Sequence, residues 1–398
     1  MKLRPTCAAN TKTGARSSNE VACRRRCDRS VLSGLGLYTE ETKMKTFQHA
    51  KKLRLGLYVT GLFWALQSVS WAQTATPSAL MQYDKPDRQQ KLLDAAKAEG
   101  NLTVYTAFRP SDLPLILAPF EAKYGIKVKA WRSGSNNVTQ RVLREGTSKK
   151  SEVDLIMMPA SEMAYVWSEK LLQPVSSPFH KDMMASTLPA HNGWAVPFLN
   201  VTVHSYNTNL YKKEDLPKTY QDLLHPKWKG NLGVEAKAEE WFTRVVASYG
   251  EEQGLKLFKD IVARNGITPR VGASLLHNMV IAGEVPLALT TYIDLPAKDK
   301  RAGKPVDWFA MSPVVAQGFA VAVAQRAPNP HAALLFYDYM LSPETQKLLA
   351  SLHFLPTNTQ VPSPYPELKV DIVDPVATLA NFTKWSKLFE DTVTKPIK

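Results

Sequence analysis

Near the middle of the 398-residue chain lies the stretch Gly193-Trp-Ala-Val-Pro-Phe-Leu-Asn-Val-Thr-Val-His-Ser-Tyr-Asn-Thr-Asn209. Its β-forming apolar residues predict one long strand, and residues 207–209 supply the turn chemistry that ends it. Short strands alternate with amphipathic helices before this stretch, and the same alternation starts again after it. One extended segment between two α/β blocks predicts a chain that passes from a first lobe into a second. We therefore expect a ligand site between the lobes, with this strand acting as the hinge.

The positive charge of the chain is concentrated at its N-terminus. The formal net charge is +14 at pH 7. Residues 1–43 hold nine Lys/Arg against four Asp/Glu, and residues 44–72 hold four against none, which leaves +5 for the remainder. An excess of that size is typical of an ordinary protein surface, so the charge argues against a nucleic-acid partner.

Residues 44–72 have the three parts of a signal peptide. A basic segment follows Met44, residues 55–66 are apolar, and Ser70 and Ala72 offer small residues for cleavage before Gln73. This pattern predicts export to the periplasm with cleavage near Ala72. Residues 1–43 are then interpreted as an upstream extension from a mis-called start. They contain all three cysteines, and a thiol-free mature chain suits an oxidising compartment.

The first block reads as alternating strands and helices with short connections. Strands are predicted at 101–107, 126–131 and 153–158, and helices at 112–124 and 138–144. This order predicts a mainly parallel sheet covered on both faces. In such sheets, ligands bind beyond the C-terminal strand ends, where helix N-termini present free N–H groups.

Polar and aromatic residues at these strand ends are the candidate ligand contacts. The Ser and Asn residues have an alternative role as helix caps, and Trp241 has one as a helix-packing residue. The candidates are Arg109, Ser133, Ser135, Ser161, Glu239, Trp241, Ser274 and Tyr292.

Several motifs in the second half are similar to those of one known family. They are Tyr206-Asn-Thr-Asn-Leu210, Asp215-Leu-Pro-Lys-Thr-Tyr-Gln-Asp-Leu-Leu-His-Pro-Lys-Trp-Lys-Gly230, Ala282-Gly-Glu-Val-Pro-Leu-Ala288, Gly303-Lys-Pro-Val-Asp307, and Ala327-Pro-Asn-Pro-His-Ala-Ala-Leu-Leu-Phe336 running into Leu341-Ser-Pro-Glu-Thr-Gln346. With them, the chain resembles the substrate-binding proteins of ABC transporters, in the ferric-iron-type branch.

The resemblance implies a two-lobed α/β receptor of the type II periplasmic-binding-protein fold. Each lobe would be a mainly parallel sheet flanked by helices, joined by two crossover strands. We place lobe 1 at 73–200 and 315–398, and lobe 2 at 201–314. The family also implies a small ligand, a membrane permease as partner, a monomer and no cofactor.

The ligand is open between two classes. Iron receptors of this family commonly use adjacent tyrosines, whereas this chain has Thr291-Tyr292 at that place. If the cargo is Fe³⁺, the resemblance implies Tyr292 and Glu240 as donors. Arg109 beside a helix N-terminus instead favours an anion. We therefore predict a small organic or phosphonate-like anion, or a metal that arrives with one, and keep ferric iron as the alternative.

A periplasmic enzyme on the same fold is the alternative from another class. The seven histidines after Ala72 form no H-E-x-x-H spacing. The chain also has no Gly-x-Ser-x-Gly elbow, and no cysteine follows residue 27. The sequence accordingly predicts a binding protein rather than an enzyme.

Overall fold

The structure is a computed structural model that describes residues 79–148 and 150–395. The predicted extension at 1–43 and the predicted signal peptide at 44–72 lie outside these residues. In the described part of the chain, no helix is both long and apolar enough to cross a bilayer.

One continuous sheet runs through the described residues. Its strands are β1 (Asn101–Thr106), β2 (Lys127–Arg132), β3 (Leu155–Pro159), β4 (Ala195–Asn207), β5 (Leu232–Glu235), β6 (Thr268–Arg270), β7 (Leu287–Tyr292), β8 (Val306–Phe309), β9 (Val314–Val323), β10 (Leu355–Pro356) and β11 (Val370–Ile372). The spatial order is β2-β1-β3-β9-β4-β7-β5-β6, with β10 and β8 beside β4 and β11 beside β9.

Strand direction divides this sheet into two blocks. In the first block, β1 is parallel to both β2 and β3. In the second, β5 is parallel to both β6 and β7. Strands β4 and β9 are antiparallel to each other and join the blocks. The predicted two-lobed α/β fold with two crossover strands is therefore confirmed.

Strand β4 belongs to both blocks. It pairs with β9 from Ala195 to Val201 and then with β7 from Thr202 to Tyr206. A register irregularity interrupts the second pairing after Val203. Because the same backbone carries both pairings, a few dihedral changes near this point would reorient one lobe against the other.

Helices cover both faces of the sheet. They are α1 (Arg88–Glu99), α2 (Leu113–Tyr124), α3 (Ser135–Thr147), α4 (Ala160–Ser168), α5 (Glu239–Ser248), α6 (Glu251–Asn265), α7 (Ala273–Ala282), α8 (Asp294–Arg301), α9 (Pro330–Leu341), α10 (Pro343–Ser351) and α11 (Pro375–Phe389). Two differ from the sequence expectation. Helix α3 begins three residues earlier than predicted, and α8 was not predicted.

The last helix packs against both blocks. Leu379 contacts a cluster built around Trp194 and Val201, whereas Trp385 and Phe389 pack with Phe242 of the second block. The sequence prediction places the whole of 315–398 in lobe 1. Helix α11 has 15 residues and is about 22 Å long, so its apolar residues reach both cores. The exact lobe boundaries stay a prediction.

Candidate functional site

A cavity of about 860 Å³ opens between the two blocks. Parallel strands end at a common edge, so β1 and β3 deliver residues 107–110 and 159–162 to one wall. Strands β5 and β7 deliver residues 235–241 and 290–292 to the other wall. Crossover strand β9 forms the floor with Val315, Gln317 and Phe319.

Seven of the eight predicted contact residues line this cavity. Ser133 does not line it, and its Oγ accepts a hydrogen bond from Asn137 Nδ2 at 3.0 Å. Those that line it are Arg109, Ser135, Ser161, Glu239, Trp241, Ser274 and Tyr292.

Tyr292 occupies the end of β7, where the two walls meet. Its Oη lies 3.4 Å from the amide of Gln317 on β9, the long end of hydrogen-bond range. Burial raises the pKa of Tyr292 above its ordinary value, and the nearby carboxylates of Glu235 and Glu240 raise it further. Both effects favour the neutral form of this phenol.

The charge of Arg109 is already offset by two carboxylates. Its Nε donates to Asp112 Oδ2 at 2.8 Å, and its Nη2 donates to Asp294 Oδ2. Lys298 lies 3.5 Å from the other oxygen of Asp112. We predicted Arg109 as the cation that attracts an anion. The structure corrects this prediction, because the charge of Arg109 is paired within the protein. Asp294 is 185 residues away in sequence, so the sequence alone could not indicate this pair.

Glu240 links the two walls of the cleft. The Ser161 hydroxyl on α4 donates to Glu240 Oε1 on α5 at 2.7 Å. The other oxygen, Oε2, is buried and has no hydrogen-bond partner among the described residues. Burial raises the pKa of Glu240 to about 7, against the effect of the Ser161 hydrogen bond. Ser161 thus lies in the first turn of α4, and its hydroxyl donates to the Glu240 carboxylate instead of capping the helix.

Comparison with known proteins now decides the family. A model described as bacterial extracellular solute-binding protein matches residues 116–373, more than half of the chain. This chain belongs to that family. It is 28% identical over 308 residues to Iron uptake protein A1 of Synechocystis sp., covering 70% of this chain and 83% of that protein.

Two further similarities agree with this assignment. The chain is 25% identical over 195 residues to the Fe(3+)-binding periplasmic protein of Serratia marcescens, covering 48% of this chain and 56% of that one. The structure of a ferric binding protein from Campylobacter jejuni superposes with a TM-score of 0.63 at 22% identity, covering 73% of this chain and 99% of that one. The predicted ferric-type family and type II fold are confirmed. The family is described as extracellular and the Serratia relative as periplasmic, which agrees with the predicted export to the periplasm.

Trp241 lines the cleft only marginally. It is 3% exposed, and its Nε1 donates to Tyr220 Oη at 3.1 Å. Its ring meets Phe258 edge-on at a centroid distance of 5.5 Å. These contacts place most of Trp241 in the second-block core, which is the helix-packing alternative.

The remaining predicted contacts sit in first turns of helices at the cleft. Ser135 begins α3 after Gly134, which has no side chain to cap the helix. Ser274 lies in the first turn of α7, and Glu239 begins α5. Glu239 is buried, and this burial raises the pKa of its carboxyl.

Sequence reasoning missed several lining residues of this solute-binding protein. They are Glu162, Gln317, Leu379 and Phe382. Glu235 also lines the cavity, and it ends β5, in a segment that the strand-end rule places at the cleft. Phe382 could not be found in this way, because it comes from α11, which reaches the cleft only through tertiary packing.

Within residues 79–148 and 150–395, no group of three or more His, Cys, Asp or Glu side chains is arranged to hold a metal ion. None of the histidines that the structure describes lines the cleft. His204, for example, is buried in the second-block core, where its Nδ1 lies 2.8 Å from the Leu289 carbonyl oxygen.

Proposed function

We propose that this protein is the receptor of an ABC import system and that it captures ferric iron between its lobes. The observation that carries the proposal is the position of the Tyr292 phenol in the cleft wall, close enough to the carboxylates of Glu235 and Glu240 for their charges to raise its pKa. Phenolate and carboxylate oxygens are hard donors of the kind that Fe³⁺ prefers. Both curated relatives described above are named for iron, which supports this cargo.

The electrostatics of the cleft also support a cation. Four carboxylates line it, from Glu162, Glu235, Glu239 and Glu240, against the basic residues Arg109, Arg132 and Lys237. Arg109 is already paired with Asp112 and Asp294. Because the charge of Arg109 is offset inside the protein, it no longer favours an anion. The four carboxyl groups favour a metal cation, which can displace their protons on binding.

Iron binding in this site should release a proton. The neutral Tyr292 must lose its proton to become a phenolate ligand. Because its pKa is raised, it loses this proton at neutral pH only when the metal binds the phenolate. Protons therefore compete with iron for the phenolate. We expect the affinity for iron to rise as the pH rises through neutrality and to fall in acid.

Titration of the purified protein with ferric salt tests this function. Binding should produce the visible absorption of a phenolate–iron complex and should release protons into a weakly buffered solution. Tyr292→Phe should abolish the band and weaken binding by at least about tenfold. Tyr165→Phe is the matched control, because Tyr165 also lines the cleft but lies on α4. Absence of any iron binding, or a full absorption band in Tyr292→Phe, would contradict the proposal.

A small anion is the second candidate cargo. One observation favours it: Ser135 and Asn136 lie at the uncapped start of α3, on the same wall as Arg132. Free N–H groups at such an end attract carboxylates and phosphonates. If phosphonates or carboxylates raised the melting temperature without metal, and ferric salts did not, this candidate would replace iron.

The remaining functional assignments follow from the receptor role. We propose that the loaded protein docks on a membrane permease, acts as a monomer and performs no catalysis. Chemical turnover of a bound solute by the pure protein would argue for the enzyme alternative instead.

A further inference from the structure

A second cavity, of about 260 Å³, lies behind the floor of the cleft. Successive side chains of a strand point to opposite faces of the sheet. On β9, Gln317 lines the cleft and Gly318 lines the second cavity, and on β4 Asn200 and Leu199 divide in the same way. The two cavities therefore lie on opposite faces of the crossover strands. We call the second one the rear cavity.

The walls of the rear cavity come from separate parts of the chain. They are the crossover strands, residues 186–189, and residues 372–376, which join β11 to α11. Helix α11 continues onto the core of the second block, where Phe389 packs against Phe242 at a ring-centroid distance of 5.2 Å. A rotation of the second block against the first would therefore move α11 and change the shape of the rear cavity.

The size and the lining of the rear cavity suit one aromatic ring with a short tail. An apolar cavity of roughly 150 Å³ is enough to bind benzene. The rear cavity is larger than that, so it leaves room for a tail of a few atoms. Trp194 forms one wall and is held in place by His191, whose ring lies 4.6 Å from it between centroids. Val376 forms another wall and is 58% exposed, so a ligand would remove its apolar surface from water.

Asp374 gives the rear cavity a negative charge. Of the described residues that line the cavity, it alone is charged. Its Oδ1 caps α11 by accepting from the amides of Val376 at 2.8 Å and Ala377 at 3.1 Å. Among the described residues, its Oδ2 makes no hydrogen bond or ion pair. The full charge of this carboxylate exceeds the partial positive charge at the start of the helix, so this wall attracts a cation.

We propose that the rear cavity is a second ligand site, which binds a small aromatic molecule carrying a protonated amine. The ring occupies the apolar interior, and the ammonium group pairs with Asp374 Oδ2. The cavity has this shape while Ser161 and Glu240 form their hydrogen bond across the cleft. A ligand that fits it favours this arrangement of the two blocks and acts as an effector of the receptor, whichever cargo the cleft takes.

Two probes of the same size test the charge. 2-Phenylethylamine and 2-phenylethanol share the ring, and only the amine is positively charged at neutral pH. Isothermal titration calorimetry should show the amine binding about threefold to fivefold more tightly, as an exposed ion pair allows. Asp374→Asn keeps a residue that can cap the helix, so it should reduce the affinity for the amine to that for the alcohol. Equal binding of both probes by the unmodified protein would overturn the proposal.

Ser186→Trp tests the location. Ser186 is exposed in the short turn Ala185–Thr187 and lines the rear cavity, so an indole there should fill it and weaken binding of both probes at least tenfold. Ala185→Trp is the matched control, because Ala185 is exposed in the same turn but does not line the cavity. It should keep full affinity. Undiminished binding of the amine in Ser186→Trp would place the probe elsewhere, the cleft included, and would overturn the proposal.

Small-angle X-ray scattering tests the effector role. In the absence of any cargo, saturating 2-phenylethylamine should lower the radius of gyration of the unmodified protein and leave that of Ser186→Trp unchanged. An unchanged radius of gyration in the unmodified protein would overturn the effector role. None of these measurements contains iron, so their outcome is independent of whether the cleft binds iron.

Discussion

The guanidinium of Arg109, in the loop after β1, forms an ion pair with the carboxylate of Asp294, the first residue of α8. Asp294 follows Tyr292 by two residues, so the pair ties the strand end that carries the candidate iron ligand to the first lobe. Both side chains are largely buried. Burial raises the pKa of Asp294 to about 6, while Arg109 acts in the opposite direction.

Arg109→Ala should destabilise the protein more than it weakens ligand binding. The change leaves Asp294 buried without its cation, which costs on the order of 3–5 kcal/mol. The loss should be larger at pH 8 than at pH 5, because Asp294 can take up a proton in acid. Urea unfolding at the two pH values measures it.

Lys298→Ala is the control for this prediction. Its amino group is exposed and 3.5 Å from Asp112, so its loss should cost less than about 1 kcal/mol. If Arg109→Ala kept full stability but lost anion binding, Arg109 would be a ligand contact, as the sequence suggested.

Trp241→Phe should affect the core and spare the cleft. The change removes the hydrogen bond to Tyr220 and part of the ring that packs on Phe258. We expect a loss of about 1–3 kcal/mol in the free energy of unfolding, with the affinity for iron unchanged.

A ligand-induced change in tryptophan fluorescence should survive in Trp241→Phe. Trp308→Phe serves as the comparison, because Trp308 lies outside the cleft lining. Loss of the fluorescence response in Trp241→Phe alone, at unchanged stability, would place the indole in contact with the cargo.

His204 should make the protein sensitive to acid. Burial lowers its pKa to about 4 from an ordinary value of 6.5, although the hydrogen bond to the Leu289 carbonyl acts in the opposite direction. Below pH 6.5 the His204 imidazole is protonated in the unfolded chain but stays neutral in the folded protein. The free energy of unfolding therefore decreases as the pH falls towards 4. The loss is on the order of 3 kcal/mol and should shrink in His204→Gln.

The exposed His225 provides the matched variant. Urea unfolding between pH 7 and pH 4 should show the same acid-induced loss in His225→Gln as in the unmodified protein. An unchanged loss in His204→Gln would assign the acid sensitivity to other groups.

Gly318→Ala should disturb the contact between crossover strand β9 and its neighbours. A Cβ at this position would lie 2.8 Å from Val196 Cγ2 and 3.2 Å from Ala160 Cβ. We expect a loss of about 1–3 kcal/mol, measured as a lower melting temperature. Adding Val196→Ala should recover part of it, and a melting temperature that the second change lowers further would show that the steric account is wrong.

Local sequence signals were sufficient for most elements of the fold. Helix α1 ends just before Gly100, and α2 ends just before Gly125; both glycines adopt the left-handed backbone that favours this residue. Strand β4 was predicted from its apolar β-forming residues. Helix α8 was missed, although Asp294 in its first turn and basic residues in its last turn are typical helix signals.

The candidate site was predicted only in part. The strand-end rule selected Tyr292, Ser161 and Glu239, because the ends of parallel strands share one edge of a sheet. It could not decide what each side chain contacts. The side chain of Trp241 lies mostly in the core, where its ring packs on Phe258 and its N–H group donates to Tyr220.

The sequence by itself determined the alternation of strands and helices, the passage of the chain through β4, and the motifs of a solute-binding receptor. These features depend on residues close together in the chain, where periodicity and turn chemistry act. Tertiary structure alone decided the charge of the cleft and the apolar side chains of α11 that line it. Arg109 forms an ion pair with Asp294, which is 185 residues away in sequence, and Phe382 of α11 lines the cleft. Electrostatics and burial depend on distance in space, which only the folded chain sets.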